Sequence, residues 1–510
     1  MLLRRTAADL NSLAPACGFS SLRQWNGTWC ETCRCRLIGA EIQENIHSAM
    51  RTTFFRRRFW ALWKGAFARR KCRGTKIKIH HNSMISQKSP LKIIIVGAGL
   101  SGLSAAISCA QSGHPVTILE GSEKLTEVGA GLQITPNSSR LFKAWGLDSQ
   151  LEELAAEPTS LTVHRYSDGM ILAQQKCFHR QIRQRYGAPF LDLHRADLQL
   201  SLVRKAHELG VEVVLGAKVA SVDFSQPSVT TERGATYSGD LVVAADGLWS
   251  KCRECFLGRR FDPVPTGDLA YRIILRRDEI DDPELREMVN KPAVHFWIGA
   301  NSHVVAYSLK DGKEYNLVLL VPDDLPPSVS RQKGSVGEMR ALFKGWDPIL
   351  TRFLDCVKDV DKWKLMYLPE LESWINEAGN FVMIGDACHP MLPYLAQGAN
   401  SSMEDGAMLG VLLRNLGPGF GLKEALQTYQ RLRKRRGEAI VKETFKQRES
   451  FHMVDGPEQE ARDELFLKYL GREIDVEFPS RWTCPKVQPW LYGYDTNAEA
   501  EKALQEVKVV

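Results

Sequence analysis

Apolar and polar positions follow two rhythms along this chain. Residues 92–96, mostly β-branched after Lys92, together with 241–245 and 381–384 form short, nearly continuous apolar runs, the pattern of strands buried on both faces of a parallel sheet. A further apolar run covers 116–119, and 211–215 reads as another strand. Helical patterns lie between and after them: a small-residue segment to about 111, a helix opened by Pro136, residues 196–209, and residues 398–416, stopped by Gly417-Pro418. A charged helix follows over 422–445, its Lys/Arg/Glu face reading as solvated. Residues 160–190, 217–237 and 265–370 instead alternate apolar with polar, most clearly at 293–298, 304–308 and 315–321, as half-buried antiparallel strands do. The last 60 residues carry three prolines between 479 and 489 and little period. The predicted architecture is an α/β domain interrupted by a mostly antiparallel β-sheet domain.

Composition changes this picture only at the N-terminus. The 510 residues are 44% hydrophobic and 25% charged, ordinary for a globular protein. No apolar run is long enough to predict a spanning helix. The formal charge of +7 divides unevenly. Residues 1–90 hold 17 Lys/Arg against 4 Asp/Glu, leaving the remainder at 50 against 56. The larger part is mildly acidic, so no nucleic-acid partner is expected. The basic segment is rich in Ser, Ala, Leu and Arg at its start, as a mitochondrial transit peptide is. Met84, eight residues before Lys92, offers a second reading as the true or an alternative start. The expected location is cytoplasmic, or mitochondrial if the segment is translated and acts as a targeting peptide. Cys30, Cys33 and Cys35 lack a matching second pair with zinc spacing, so no metal site is expected.

Candidate chemistry starts in the first strand. Gly97, Gly99 and Gly102 form G-x-G-x-x-G between the run at 92–96 and the small-residue helix. Gly97 allows a tight turn, Gly99 lets backbone approach a pyrophosphate, and Gly102 lets helix and strand pack closely. The helix N-terminus then offers unpaired N–H groups to an anion. Glu120, 21 positions after Gly99, ends the next strand and suits two ribose hydroxyls. A carboxylate there would repel a 2′-phosphate, which favours FAD or NAD over NADP. The plainer alternative is a βαβ unit that uses its glycines for packing.

Two later segments make the pattern specific. Asp246-Gly247 stands with Ser250 and Arg253 as D-G-x-x-S-x-x-R, and Gly385-Asp386-Ala387-Cys388-His389-Pro390 continues into Pro393 and Gln397-Gly398-Ala399-Asn400, then Glu404-Asp405. With the glycine motif, these resemble the FAD-dependent aromatic hydroxylases that include salicylate hydroxylase and p-hydroxybenzoate hydroxylase. Residues 391–407 and the piece FHMVDGPEQ at 451–459 look most like fungal salicylate-hydroxylase-type enzymes. Physically, Asp386 at a strand end beside the nucleotide strand suits ribityl hydroxyls. A helix starting at Gly398, Ala399 and Asn400 would aim N–H groups at the flavin edge that turns anionic on reduction.

The resemblance implies a Rossmann-like FAD-binding domain in three parts (90–160, 191–264 and 376–450) interrupted by a substrate domain (161–190 and 265–375). An extension at 1–89, expected to be disordered, precedes them and a tail at 451–510 follows. It implies Gly97, Gly99, Gly102, Glu120, Ala130, Gly131, Arg195, Asp246, Gly247, Asp386, Gly398, Ala399 and Asn400 as cofactor residues. A surface salt bridge for Arg195 and a structural turn for Asp246 stay open, and His389 reads as structural. Tyr271 resembles a tyrosine that faces substrate in related hydroxylases, where a phenol could help remove a substrate proton; a core tyrosine is the alternative. Arg272, next along the strand, is expected to face the other way. The implied reaction uses NADH or NADPH, dioxygen and a C4a-hydroperoxyflavin to hydroxylate a phenolic or aromatic-acid small molecule. Alternatives are epoxidation of an isoprenoid or other alkene on the same scaffold, and a flavin-binding protein without turnover. Many bacterial relatives carry an extra glycine where this chain has Leu395-Ala396, which puts a direct transfer of their substrate preferences in doubt.

Overall fold

The computed structural model describes residues 89–125 and 130–509. The expectations for Met84, the basic extension, its cysteines and the stretch 126–129 of the glycine-bearing loop lie outside the described residues. Two large sheets carry most of the rest, beside a three-stranded sheet and the two-stranded pairing of Gly131–Ile134 with Leu191–His194. The first has five parallel strands in the order Phe381–Met383, Leu241–Ala244, Ile93–Val96, Val116–Leu119, Glu212–Val214. Its central strand is buried at every residue, which explains the unbroken apolar run. Helix Leu100–Gln111 crosses on this sheet, and helix Gln397–Arg414 lies against that helix. Their contact needs glycine: a Cβ on Gly406 or Gly410 would sit 2.4 Å from Ala105 N or Ser108 Cβ. The strand before Asp386 is not beside the nucleotide strand as expected, because Leu241–Ala244 intervenes. Hydrophobic period identifies a parallel strand but not its place in the sheet.

The second sheet has eight strands, in the order Arg331–Lys333, Asp361–Tyr367, Val264–Arg276, Glu314–Pro322, Ser302–Leu309, Val294–Gly299, Ser160–Arg165, Ile171–Lys176. All neighbours are antiparallel except Val294–Gly299 with Ser160–Arg165. One face packs on Phe353, Leu354, Met339 and Leu285, from helices Pro283–Asn290, Val336–Leu342 and Pro348–Asp355. Alternation alone did not reveal these helices. Their caps are legible, however: Asp282-Pro283 and Asp347-Pro348 each place an acceptor before a helix-starting proline, and the Asp side chains accept from Glu284 N and Ile349 N at 2.9 Å.

The tail is part of the fold. It forms helices Pro457–Lys468, Val487–Tyr492 and Thr496–Val509, the last packed against Gln397–Arg414.

A half-buried imidazole pair in the second sheet gives an acid limit to stability. His164 Nδ1 donates to Gly169 O at 3.0 Å, so His164 Nε2 accepts from His295 Nδ1, also at 3.0 Å. Both rings are neutral and stack with Trp297. Burial drives His295 from 6.5 down to about 3 and lowers His164. The unfolded chain binds these protons first, so folding stability falls on acidification from about 6.5 toward about 3. Urea titrations across that range should show this slope in wild type and flatten it in His295→Phe.

Candidate active site

Gly97 has φ +103°, and a Cβ there would lie 2.4 Å from Ala245 O. A Cβ on Gly102 would lie 2.0 Å from Gly97 O. Gly99 has no atom within 4 Å of its would-be Cβ and faces a cavity. The first two glycines let strand, turn and helix touch; the third leaves bare backbone toward whatever fills the cavity. Glu120 accepts from Ala98 N and Ser122 N, each at 2.8 Å, one on each carboxylate oxygen. A carboxylate offers about four acceptor positions, so each oxygen retains one for a ribose hydroxyl.

The same cavity is lined by Ala130, Gly131, Arg195, Gly247, Asp386, Gly398 and Ala399. Arg195 opens helix Arg195–Glu208, with its N–H on Ala130 O at 3.0 Å. Asp386 exposes its carboxylate to the cavity. Enclosure pushes its carboxyl above the usual range, against the pull of His389 and Arg195. Helix Gln397–Arg414 starts at the wall, with Gly398 and Ala399 in its first turn. The N–H groups of a first turn lack intrahelical acceptors. Ala396, which caps it, is left-handed at φ 52°, a conformation that costs a non-glycine residue about 1 kcal/mol.

The side chains of two expected cofactor residues are engaged within the protein. Asn400 is fully buried; its Oδ1 accepts from Thr135 N and its Nδ2 donates to Gln133 O, both at 3.0 Å, and to Ala396 O. Its side chain pins the helix start to the strand Gly131–Ile134. Asp246 accepts from Ser250 Oγ at 2.5 Å and Cys252 N at 2.9 Å, capping helix Lys251–Leu257. Gly247, at φ +76°, is the motif residue that reaches the cavity. Arg253, 2% exposed, donates to Ala387 O at 2.9 Å and so ties this motif to the Gly385-Asp386-Ala387 turn.

Tyr271 requires correction. It is fully buried on the far face of its strand, in the core with Trp297 and Val360, and does not line the cavity. Arg272 does line it. Alternation separated the two residues correctly, but both faces of this strand are covered, so period could not say which face meets the site. Phe296, His303, Val305, Tyr307, Val318 and Leu320 complete this wall, with Tyr394 and Trp482.

Behind the helix start lies a charge network whose two arginines are not legible from the local motif around His389, Glu404 and Asp405. His389 Nε2 lies 2.5 Å from Asp405 Oδ2, which also accepts from Gly385 N at 2.9 Å. Arg433 donates to Asp405 Oδ1 and Glu404 Oε2, both at 2.6 Å. Arg436 holds both Glu404 oxygens at 2.9 Å and stacks on Tyr494. Glu404 also accepts from Asn137 Nδ2 at 2.6 Å. Burial pushes both carboxyls upward, but Arg433 with Arg436 or His389 outweighs it and holds them below their usual range. The charged helix, observed as Leu422–Phe451, is therefore not simply solvated: Arg433 and Arg436 sit on its buried stripe with Leu426, Tyr429, Ile440, Thr444 and Gln447.

A glycine cradle, an acid and a helix start on one cavity, with the ribose-type acid Glu120 at the end of the neighbouring strand, define a dinucleotide-binding α/β protein with an inserted sheet. The residues fit FAD: bare backbone at Gly99 and Gly398 faces the cavity where phosphates and a flat ring would need close approach. The sequence matches the FAD binding domain family over residues 90–444. It is 51% identical over 432 residues to the FAD-dependent monooxygenase OpS4 of Beauveria bassiana (strain ARSEF 2860), covering 84% of this chain and 100% of that one. It is 30% identical over 415 residues to the 3-hydroxybenzoate 6-hydroxylase of Polaromonas naphthalenivorans (strain CJ2), covering 81% and 98%. The fold is shared with a salicylate hydroxylase substrate complex, at TM-score 0.66 and 21% identity, covering 81% and 98%. The chain belongs to the FAD-dependent monooxygenases of the aromatic-hydroxylase family. Among the described residues, no helix is long and apolar enough to cross a membrane.

Proposed function

We propose that this monooxygenase hydroxylates a phenolic or aromatic-acid small molecule, with NADH or NADPH as reductant and dioxygen as oxidant. The observation that supports this reading best is the continuity of one cavity. Gly99, Asp386 and Gly398 line one part of it; Phe296, Val305, Tyr307, Val318 and Leu320 line another, with Arg272. Bound FAD would supply the electron transfer and dioxygen chemistry that side chains lack.

The chain's residues bind, orient and exclude water. The first helix start and Gly99 would hold the pyrophosphate, Glu120 the ribose, and Asp386 the ribityl hydroxyls, with Arg195 beside it. Gly398 and Ala399 would present their N–H groups to the ring edge that gains negative charge on reduction. The aromatic and aliphatic wall would stack a flat substrate and keep the oxygen-transfer step dry. Arg272 suits a carboxylate or phenolate, since a guanidinium meets such groups with paired donors. The hydroxybenzoate relative supports an aromatic acid as the first class to test.

Purified protein should be yellow and release FAD, and a phenol or hydroxybenzoate should stimulate NAD(P)H consumption coupled to a hydroxylated product. Asp386→Ala should lose flavin with the fold largely intact. A response to alkenes alone, or none to any aromatic compound, would overturn the substrate assignment.

A further inference from the structure

One row of cross-strand neighbours on the second sheet runs through two recesses. Arg272, Val318, Val305, Phe296, Val163 and Ala173 pair in turn, strand to strand. The first four line the catalytic cavity, and the last two line a second cavity of about 880 Å³. Trp482 divides them. Its ring packs on Phe296, with centroids 5.3 Å apart, and lines the catalytic cavity, while the next residue, Thr483, lines the second. Strand Ile171–Lys176 forms the sheet edge there, and the tail supplies Ile474 and Phe478 to the same recess.

Two buried polar atoms of residues lining this recess make no hydrogen bond to any described residue: Gln175 Oε1 and Thr483 Oγ1. A chain of two bonds fixes which way the Gln175 amide points. Lys176 O can only accept, so Gln181 donates to it through Nε2 at 3.0 Å. Gln181 Oε1 then accepts from Gln175 Nε2 at 2.7 Å. Gln175 is left with its oxygen as the buried acceptor. It lies two residues after Ala173, on the same face of the strand, opposite Leu161. An unpartnered buried acceptor favours whatever brings it a donor. The exposed rim carries Lys176, Arg185 and Arg472 against Glu473, a net positive edge.

We propose that this recess is a second small-molecule site, separate from the catalytic cavity, for a flat aromatic carboxylate that bears a ring hydroxyl or amine. The ring packs on Leu161, Val163 and Ala173, with Ile474 and Phe478 from the tail. The hydroxyl or amine donates to Gln175 Oε1, Thr483 Oγ1 supplies a second polar contact, and the carboxylate meets the cationic rim. Phe296 and Trp482 stand between this ligand and the catalytic cavity, so it binds without touching the flavin. The recognition follows from the recess itself and does not depend on the aromatic reading of the catalytic cavity.

Calorimetric titration of oxidised holoenzyme with 6-hydroxy-2-naphthoate tests this, with flavin absorbance recorded in parallel to mark binding in the catalytic cavity. Wild type should show a binding event that leaves the flavin spectrum unchanged. That event should weaken about tenfold in Gln175→Leu, the usual loss with one hydrogen bond. It should vanish in Ala173→Tyr, whose side chain fills the recess. 2-Naphthoate, which lacks the donor, should bind wild type about tenfold more weakly than the hydroxylated probe, and the two should bind Gln175→Leu alike. Should either variant fail to fold, the other variant and the comparison of the two naphthoates in wild type carry the test. A wild type without a flavin-silent event overturns the proposal, as does an event that neither variant moves. Loss in Ala173→Tyr with unchanged affinity in Gln175→Leu overturns the assigned ligand class. A flavin-silent event that responds to both variants, in a holoenzyme that no aromatic compound stimulates, supports the second site and overturns the aromatic reading alone.

Discussion

Arg433→Met is expected to destabilise the protein by about 3–5 kcal/mol, the usual consequence of removing one partner from a buried ion cluster. The guanidinium is fully buried and holds Asp405, Glu404 and Ser401 by four hydrogen bonds. Methionine fills the volume but leaves Asp405 with His389 and the Gly385 N–H, and Glu404 with Arg436 and Asn137. An underpaired buried carboxyl has its pKa raised in the folded state, so the deficit should deepen as pH rises through that value. Urea unfolding at several pH values checks both statements, and an unchanged midpoint would refute them. Flavin should dissociate more readily too, since Asp405 anchors Gly385 and Glu404 anchors the turn of Asn137 behind the helix start.

Gly102→Ala and Gly99→Ala should separate folding from cofactor capture. The Gly102 Cβ would lie 2.0 Å from a backbone carbonyl oxygen that cannot rotate away. The helix must shift, and the variant should lose both stability and nearly all bound flavin; forced overpacking costs about 1–3 kcal/mol or more. The Gly99 Cβ meets nothing within 4 Å, so the flavin-free variant should melt as the flavin-free parent does. It should nonetheless bind FAD about 100-fold more weakly, about 2.7 kcal/mol, because the methyl occupies the approach of the pyrophosphate. Fluorescence titration of FAD into stripped protein distinguishes the two, and equal affinity in Gly99→Ala and parent would remove this glycine from the cofactor contact.

What the sequence disclosed follows from how local the signals are. The first strand, its glycines, the next helix and Glu120 lie within 30 residues and are fixed by steric rules that act over a turn or two. Tyr271 and Arg272 show the limit, since two-fold alternation gives opposite faces without naming the face that meets the cavity. Asp246 and Asn400 show another. Their motifs are legible, yet their side chains cap a helix and pin a strand, while neighbouring backbone reaches the cavity. Arg433 and Arg436 were readable in principle, because they continue the apolar stripe of Leu426, Tyr429 and Ile440. A helix rich in charge hides such a stripe. Gln175 and Thr483 line one recess from distant parts of the chain, and no local pattern joins them.

The order of strands in the first sheet has a consequence for biosynthesis. Ile93–Val96 is translated early, but Leu241–Ala244 must join it before Phe381–Met383 can, and Tyr494 must arrive before Arg436 acquires its stacking partner. A ribosome-bound nascent chain therefore holds the glycine turn long before the opposite wall exists. Such distant pairings close slowly. Cofactor loading is thus expected to be a post-translational event, and flavin supply during expression should govern yield through rescue of finished chains rather than through guidance of growing ones.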